Sequence, residues 1–169
     1  VYAALRQAEG LPLAFPGGVD RAMEAVDARL VGDACLWAAA NACAAGETYN
    51  LTNGEVFSWR DMWPAIAQTL GVPLGEDEPL SVAEYILQRE DLWQVIVARH
   101  DLVPNTLEQI VGESHHYADL CFALGANDAP PPIFVSTVKI HQAGFNQTYN
   151  SEESFCYWLR DLRYRRIIP

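Results

Sequence analysis

The stretch Glu47-Thr48-Tyr49-Asn50-Leu51-Thr52-Asn53-Gly54-Glu55-Val56-Phe57-Ser58-Trp59 decides how the rest of the chain is read. Thr48 to Thr52 is rich in β-branched and aromatic residues and ends at Asn53-Gly54, a strong turn pair, so the pattern predicts a strand followed by a turn. Beyond it, Ser58 and Asp61 both qualify as caps of a helix that runs to Leu70 and stops at Gly71. Pro64 favours Asp61, because a proline in the first turn has no N–H to lose from the internal ladder. The reading is therefore a regular helix from Asp61, or a distorted first turn before it. A lone strand is not stable in water and needs a sheet. The remainder of the chain barely supplies one, so the stretch is expected to need a partner half beyond this chain.

Working outward, Val1 to Ala8 reads as the end of a helix stopped at Gly10, and Leu11 to Phe15 as a short extended piece before the turn Pro16-Gly17-Gly18. From Ala25 to Ala44 an alanine-rich helix is expected, with Val26, Leu30, Ala34, Trp37, Ala38 and Ala42 as its apolar stripe. After the acidic loop from Pro73 to Pro79, Ser81 and Glu84 form a capping-box pattern. The helix they open carries Leu80, Ala83, Ile86 and Leu87, and further on Val95 and Ile96. Asn105 and Glu108 are candidate caps for a short helix ending near Gly112. His115 to Leu124 reads as helix and Asn127 to Pro132 as a proline-rich loop. Ser151 is the expected cap of the last helix, whose Phe155, Trp158, Leu159 and Leu162 fall at i, i+3, i+4 and i+7.

Composition narrows the function. The formal charge is -11 with Lys139 as the sole lysine, which argues against a polyanionic partner such as nucleic acid. The cluster Arg160, Arg163, Arg165 and Arg166 reads as the complement of the negative end of the last helix. No apolar run is long enough for a membrane span, so no membrane partner is expected. Cys35, Cys43, Cys121 and Cys156 all sit in apolar company and read as reduced core thiols of a cytoplasmic protein. There is no G-x-G-x-x-G, Walker loop or G-x-S-x-G elbow, and no tyrosine stands four residues before Lys139. His115 and His116 are adjacent, so on a helix they point about 100° apart and would not share a metal. His116, Tyr117 and Asp119 either line a pocket or are ordinary helix residues; spacing leaves both open. No catalytic, cofactor-binding or metal-binding residue is expected within the chain.

Taken together, several motifs resemble one family. Tyr49-Asn50-x-Thr52-Asn53-Gly54-x-Val56-Phe57-x-Trp59 with Met62-Trp63 is joined upstream by Glu9-Gly10-Leu11-Pro12 and Val26-Asp27-Ala28. The ending Ser136-Thr137-Val138-Lys139-Ile140-x-Gln142-Ala143-Gly144-Phe145 continues through Trp158 to Ile167-Ile168-Pro169. The whole is similar to the C-terminal part of extended short-chain dehydrogenases/reductases, and within them to progesterone 5β-reductase/iridoid synthase-like reductases. The acidic and proline-rich loops match poorly.

The resemblance implies a Rossmann-type α/β parent of which residues 1–169 are the substrate-binding C-terminal lobe, mostly α-helical with one or two short strands. The last sheet elements of the Rossmann part would fall within residues 1–56. It also implies an oxidoreductase that uses NADP(H), held by the parent rather than by this chain, to reduce the activated C=C of an enone. A small hydrophobic carbonyl compound would be the substrate, with His116 and Tyr117 lining its pocket where the similar reductases carry bulkier aromatics. Alone, the chain is expected to catalyse nothing, and to oligomerise or depend on an N-terminal half. Two other readings are a nucleotide-sugar epimerase/dehydratase lobe, disfavoured by the scarcity of basic residues, and a non-catalytic helical binding module.

Overall fold

The computed structural model describes residues 1–129 and 131–169; Pro130, inside the expected proline-rich loop, lies outside them. Helix α1 (Tyr2–Ala8) stops before Gly10, whose φ of 76° is the left-handed geometry glycine adopts without strain. Strand β1 (Met23–Glu24) follows, then α2 (Ala28–Ala40) and a short 3-10 turn (Ala42–Ala44). Strand β2 (Val56–Phe57) precedes α3 (Trp59–Leu70), α4 (Val82–Leu87) and α5 (Glu90–Arg99). The chain continues with α6 (Leu107–Val111), α7 (His115–Cys121), α8 (Val138–Gln142) and α9 (Ser151–Tyr164). The described residues are thus mostly helical, with one two-stranded antiparallel sheet pairing Met23 with Phe57 and Glu24 with Val56.

The strand expected at Thr48–Thr52 is not formed. The segment is extended and its alternation is used, since Tyr49 and Leu51 pack on the buried cluster of Leu30, Ile140 and Phe145. It lacks a ladder: the backbone bonds nearby are isolated ones, from Asn53 N to Ala25 O (2.7 Å) and from Tyr149 N to Asn53 O (3.0 Å). The turn does form, with Gly54 at φ 100°, but the strand lies after it, at β2. The helix expected over Ala25–Ala44 starts later, because Asp27 is its cap and accepts from Arg29 N at 2.8 Å. It breaks at Asn41, whose backbone is extended. Much of its stripe is not core either: Leu30 is fully buried, while Val26 and Ala38 are exposed.

Ser81 caps α4 as expected, its Oγ accepting from Glu84 N at 3.1 Å, while other caps differ from expectation by small offsets with physical causes. α3 starts on Ser58, whose Oγ accepts from Asp61 N at 3.1 Å, so Pro64 lies inside the helix and forgoes one internal bond. α6 is opened by Thr106 with Gln109 in a reciprocal capping box, and α9 by Asn150, which accepts from Glu153 N at 2.8 Å. Asn105 is instead taken by Trp93, whose Nε1 donates to it at 2.8 Å, and Ser151 by Asn53 at 3.1 Å. The single helix expected from Ser81 is broken at Gln88–Arg89 into α4 and α5. Of the cysteines only Cys156 is core; Cys35 and Cys43 are exposed and Cys121 is half-buried, all four as free thiols.

The main core is built from α1 and α3–α7, around Leu5, Leu13, Phe15, Trp63, Trp93 and Ile96. α9 lies along α3, tied to it by Arg163 Nη1 donating to Thr69 O at 2.8 Å. Gly17 and Gly18 let the chain pass under the end of α7: a Cβ on Gly17 would stand 2.3 Å from Phe122 O, and one on Gly18 2.4 Å from Ala123 O. No helix among the described residues is long and apolar enough to cross a membrane.

Candidate functional site

α7 carries His116 and Tyr117, and its placement is set by contacts in its C-terminal half and just beyond it. Asp119 reaches across to the start of α4, where its carboxylate accepts from Ser81 Oγ (2.6 Å) and Val82 N (2.7 Å). It therefore caps a helix from another helix, with its charge at the positive end of α4. Just past the end of α7, Phe122 packs edge-on against Phe15, Trp59 and Trp63, with ring centres 5.5–5.8 Å apart. Gly18 N donates to Phe122 O at 3.0 Å and Arg21 Nη1 to Leu120 O at 3.2 Å. Asp119 is thus a positioning residue, its carboxylate engaged at the start of α4.

This anchoring leaves one face of α7 in solvent. His116 is exposed and meets Glu113 at 3.2 Å, and Tyr117 and Leu120 are 64% and 65% exposed. Arg21 joins this face to a cleft of about 280 Å³ lined by Met23, Glu24, Val26, Leu51, Ile133 and Val135. The two residues singled out from the sequence are thus brought side by side on an open, largely apolar surface rather than into an enclosed pocket. The histidine rings do not diverge as helical spacing suggested: those of His115 and His116 stand 3.9 Å apart at 39°. His115 is buried and lines a separate cleft. No spacing in the sequence marks it, since its burial follows from the packing of α7 against α4.

A second buried polar cluster joins residues far apart in sequence. Asp27, whose side chain is wholly buried, accepts from Arg29 Nε (2.9 Å) and Nη2 (2.7 Å), from Ser154 Oγ, and from Trp158 Nε1 (3.3 Å). Asn53 accepts from Asp27 N at 2.7 Å and donates to Ser151 Oγ at 3.1 Å. The Arg29 guanidinium lies over the Tyr157 ring at 3.8 Å and near Tyr149 at 4.9 Å. Hydrogen bonds from Arg29 above all, then from Ser154, outweigh desolvation and hold the Asp27 carboxyl well below the usual carboxylate range. The cluster clamps the start of α2, the Asn53–Gly54 turn and the start of α9 together.

Among the described residues, no group of three or more His, Cys, Asp or Glu side chains is placed to hold a metal ion. The N-termini of the longer helices also do not suit the pyrophosphate of a dinucleotide. Each helix of eight or more residues has a carboxylate at its N-terminus, where a pyrophosphate would otherwise sit: Asp27 on α2, Asp61 on α3, Glu90 and Asp91 on α5, Glu152 and Glu153 on α9.

Comparison with known proteins gives whole-length matches. The chain is 30% identical over 176 residues to an (S)-8-oxocitronellyl enol synthase of Catharanthus roseus. It is 29% identical over 180 residues to the enol synthase CYC1 of Camptotheca acuminata, and 29% over 175 residues to a 3-oxo-Δ4,5-steroid 5β-reductase of Arabidopsis thaliana. Along its whole length, the chain is a relative of the progesterone 5β-reductase/iridoid synthase-like reductases. All of this chain is covered, but it spans only 43–44% of the length of these curated relatives. No family model matches. The motifs that carry the likeness to these reductases are, in this structure, largely scaffold: Asp27 and Asn53 form the buried clamp, and Trp59 and Trp63 the aromatic contact with Phe122.

Proposed function

We propose that this chain is the substrate-binding C-terminal part of an NAD(P)H-dependent short-chain reductase that acts on the activated C=C of an enone. The match of all 169 residues to reductases and enol synthases of one family carries the reading. In it, the two-stranded sheet and the residues up to Val56 belong to the edge of a Rossmann-type domain. The exposed face of His116, Tyr117 and Leu120, with the cleft beside Met23 and Ile133, is one wall of a site closed by the cofactor-binding half. NADP(H) is held there, since the helix N-termini of this chain repel phosphate. The bound cofactor supplies the hydride. This chain's own residues bind and orient an apolar carbonyl substrate and exclude water from it.

The character of that wall favours an enone over a nucleotide sugar. Its exposed side chains are mainly aromatic and aliphatic, and Arg21, the basic group on it, is engaged with a backbone carbonyl. A substrate diphosphate needs converging cations. The test is to express the full-length protein containing this chain and follow NADPH oxidation with a panel of cyclic and acyclic enones. Turnover of apolar enones that falls at least tenfold in Tyr117→Ala is the expected result. No turnover across the panel, or tight binding of a UDP- or GDP-sugar, would overturn the reading.

A further inference from the structure

Residues 131–136 form a strap without helix or strand, and Ile133 and Val135 of this strap line the cleft beside Met23. Ile133 is largely exposed, and Phe134 and Val135 are each close to half exposed. Among the described residues, none of the six enters a backbone–backbone hydrogen bond. Two side chains hold the strap to the body instead. The Glu24 carboxylate accepts from Val135 N at 2.9 Å, and Asn50 Nδ2 donates to Ser136 O at 3.2 Å. Both tethers come from segments that also line the cleft: Glu24 follows Met23 in β1, and Asn50 precedes Leu51. Glu24 is itself held in register, opposite Val56 in the two-stranded sheet. Among the described residues no cation pairs with it. Arg21, three positions earlier, donates to Leu120 O instead.

We infer that Glu24 is a positioning residue for substrate, its carboxylate holding Ile133 and Val135 in place as one wall of the cleft. The inference rests on the reductase reading, in which this cleft belongs to the substrate wall. A carboxylate is an unfavourable neighbour for an apolar enone, and here one of its oxygens is engaged by the strap. An exposed amide needs no protein acceptor, because water satisfies it. The consequence of the bond is therefore the position of the strap rather than the burial of a donor. Without Glu24 the strap keeps the Asn50 tether alone and samples arrangements in which the wall is missing. A site that is competent for only part of the time binds more weakly by that fraction.

The test uses the full-length protein containing this chain, as wild type, Glu24→Ala and Glu24→Gln. Glutamine keeps an oxygen that accepts from an amide, whereas alanine does not. Hydrogen exchange of residues 133–136, read by mass spectrometry, should speed roughly threefold to tenfold in Glu24→Ala, the range that loss of one net hydrogen bond gives. With NADPH and cyclohex-2-enone, the KM of Glu24→Ala should rise by a similar factor, roughly threefold to tenfold, while kcat stays within about twofold. Glu24→Gln should return both exchange and KM to within about twofold of wild type. A residue that only stabilises the fold would lower kcat, by reducing the active fraction, and leave KM alone. Unchanged exchange in Glu24→Ala, a fall confined to kcat, an unchanged KM, or no rescue by Glu24→Gln would each overturn the inference while wild-type turnover leaves the reductase reading standing. A wild type that turns over no enone would sink both.

Discussion

Replacing Asp27 by Asn removes one charge from the buried clamp while keeping the side chain's shape. In the native chain this carboxylate takes three donors from Arg29, one from Ser154 and one from Trp158, with no side-chain exposure. Breaking a buried ion pair from one side typically costs about 3–5 kcal/mol. Arg29 keeps 33% of its side chain exposed and can regain water, so the loss should fall at or just below the lower end, about 2–3 kcal/mol. For a domain of this size that lowers the melting temperature by roughly 4–12 °C. The effect has a definite pH signature. The folded carboxyl titrates below its unfolded value, so its stabilisation is fully present above about pH 4 and is lost as pH falls further toward the folded pKa. The gap between wild type and Asp27→Asn should be constant from pH 7 to about pH 5. It should then narrow by about 1.4 kcal/mol per pH unit below pH 4. Circular-dichroism melts at a series of pH values measure this. A melting temperature within 2 °C of wild type at pH 7, or a gap that does not shrink in acid, would refute the clamp as described.

The remaining predictions concern the placement of α7 and the exposure of the thiols. Asp119→Ala should destabilise the chain by about 1–3 kcal/mol and speed exchange of the Val82 amide by tenfold or more, because the acceptor of Val82 N and of the Ser81 hydroxyl is lost, although Ser81 still accepts from Glu84 N. Unchanged protection of that amide in hydrogen exchange would show that α4 does not depend on α7. In the folded chain Cys35 and Cys43 should react readily with a thiol reagent, whereas Cys156 should react only as fast as the chain opens. Mass spectrometry of the labelled peptides separates the sites, and early labelling of Cys156 would contradict its burial.

Local chemistry in the sequence sufficed for several elements. Gly10 and Gly71 end helices because their left-handed backbone is one that L side chains rarely adopt. Asn53-Gly54 turns, and α9 shows its apolar stripe at helical spacing, with acids first and arginines last. These depend on a residue and its near neighbours along the chain. The likeness that pointed to a reductase family was legible in the same way, as strings of consecutive residues.

What only the tertiary structure decided depends on partners far away in sequence. Thr48–Thr52 has strand composition, yet a strand exists only where a neighbouring backbone completes its ladder, and here β1 pairs with β2 instead. Asn105 and Ser151 can both cap a helix, but Trp93 and Asn53 claim them, and the caps fall to Thr106 and Asn150. Alanine and cysteine in α2 look like core by composition, but one side of that helix packs and the other does not. His115 and His116 are chemically identical and adjacent. The packing of α7, set by Asp119 at α4 and Phe122 in the aromatic cluster, buries one and leaves the other in solvent. Residue type and spacing along the chain determined which chemistry was present. Which of those groups met one another was decided by contacts between residues up to a hundred or more positions apart, which no local pattern encodes.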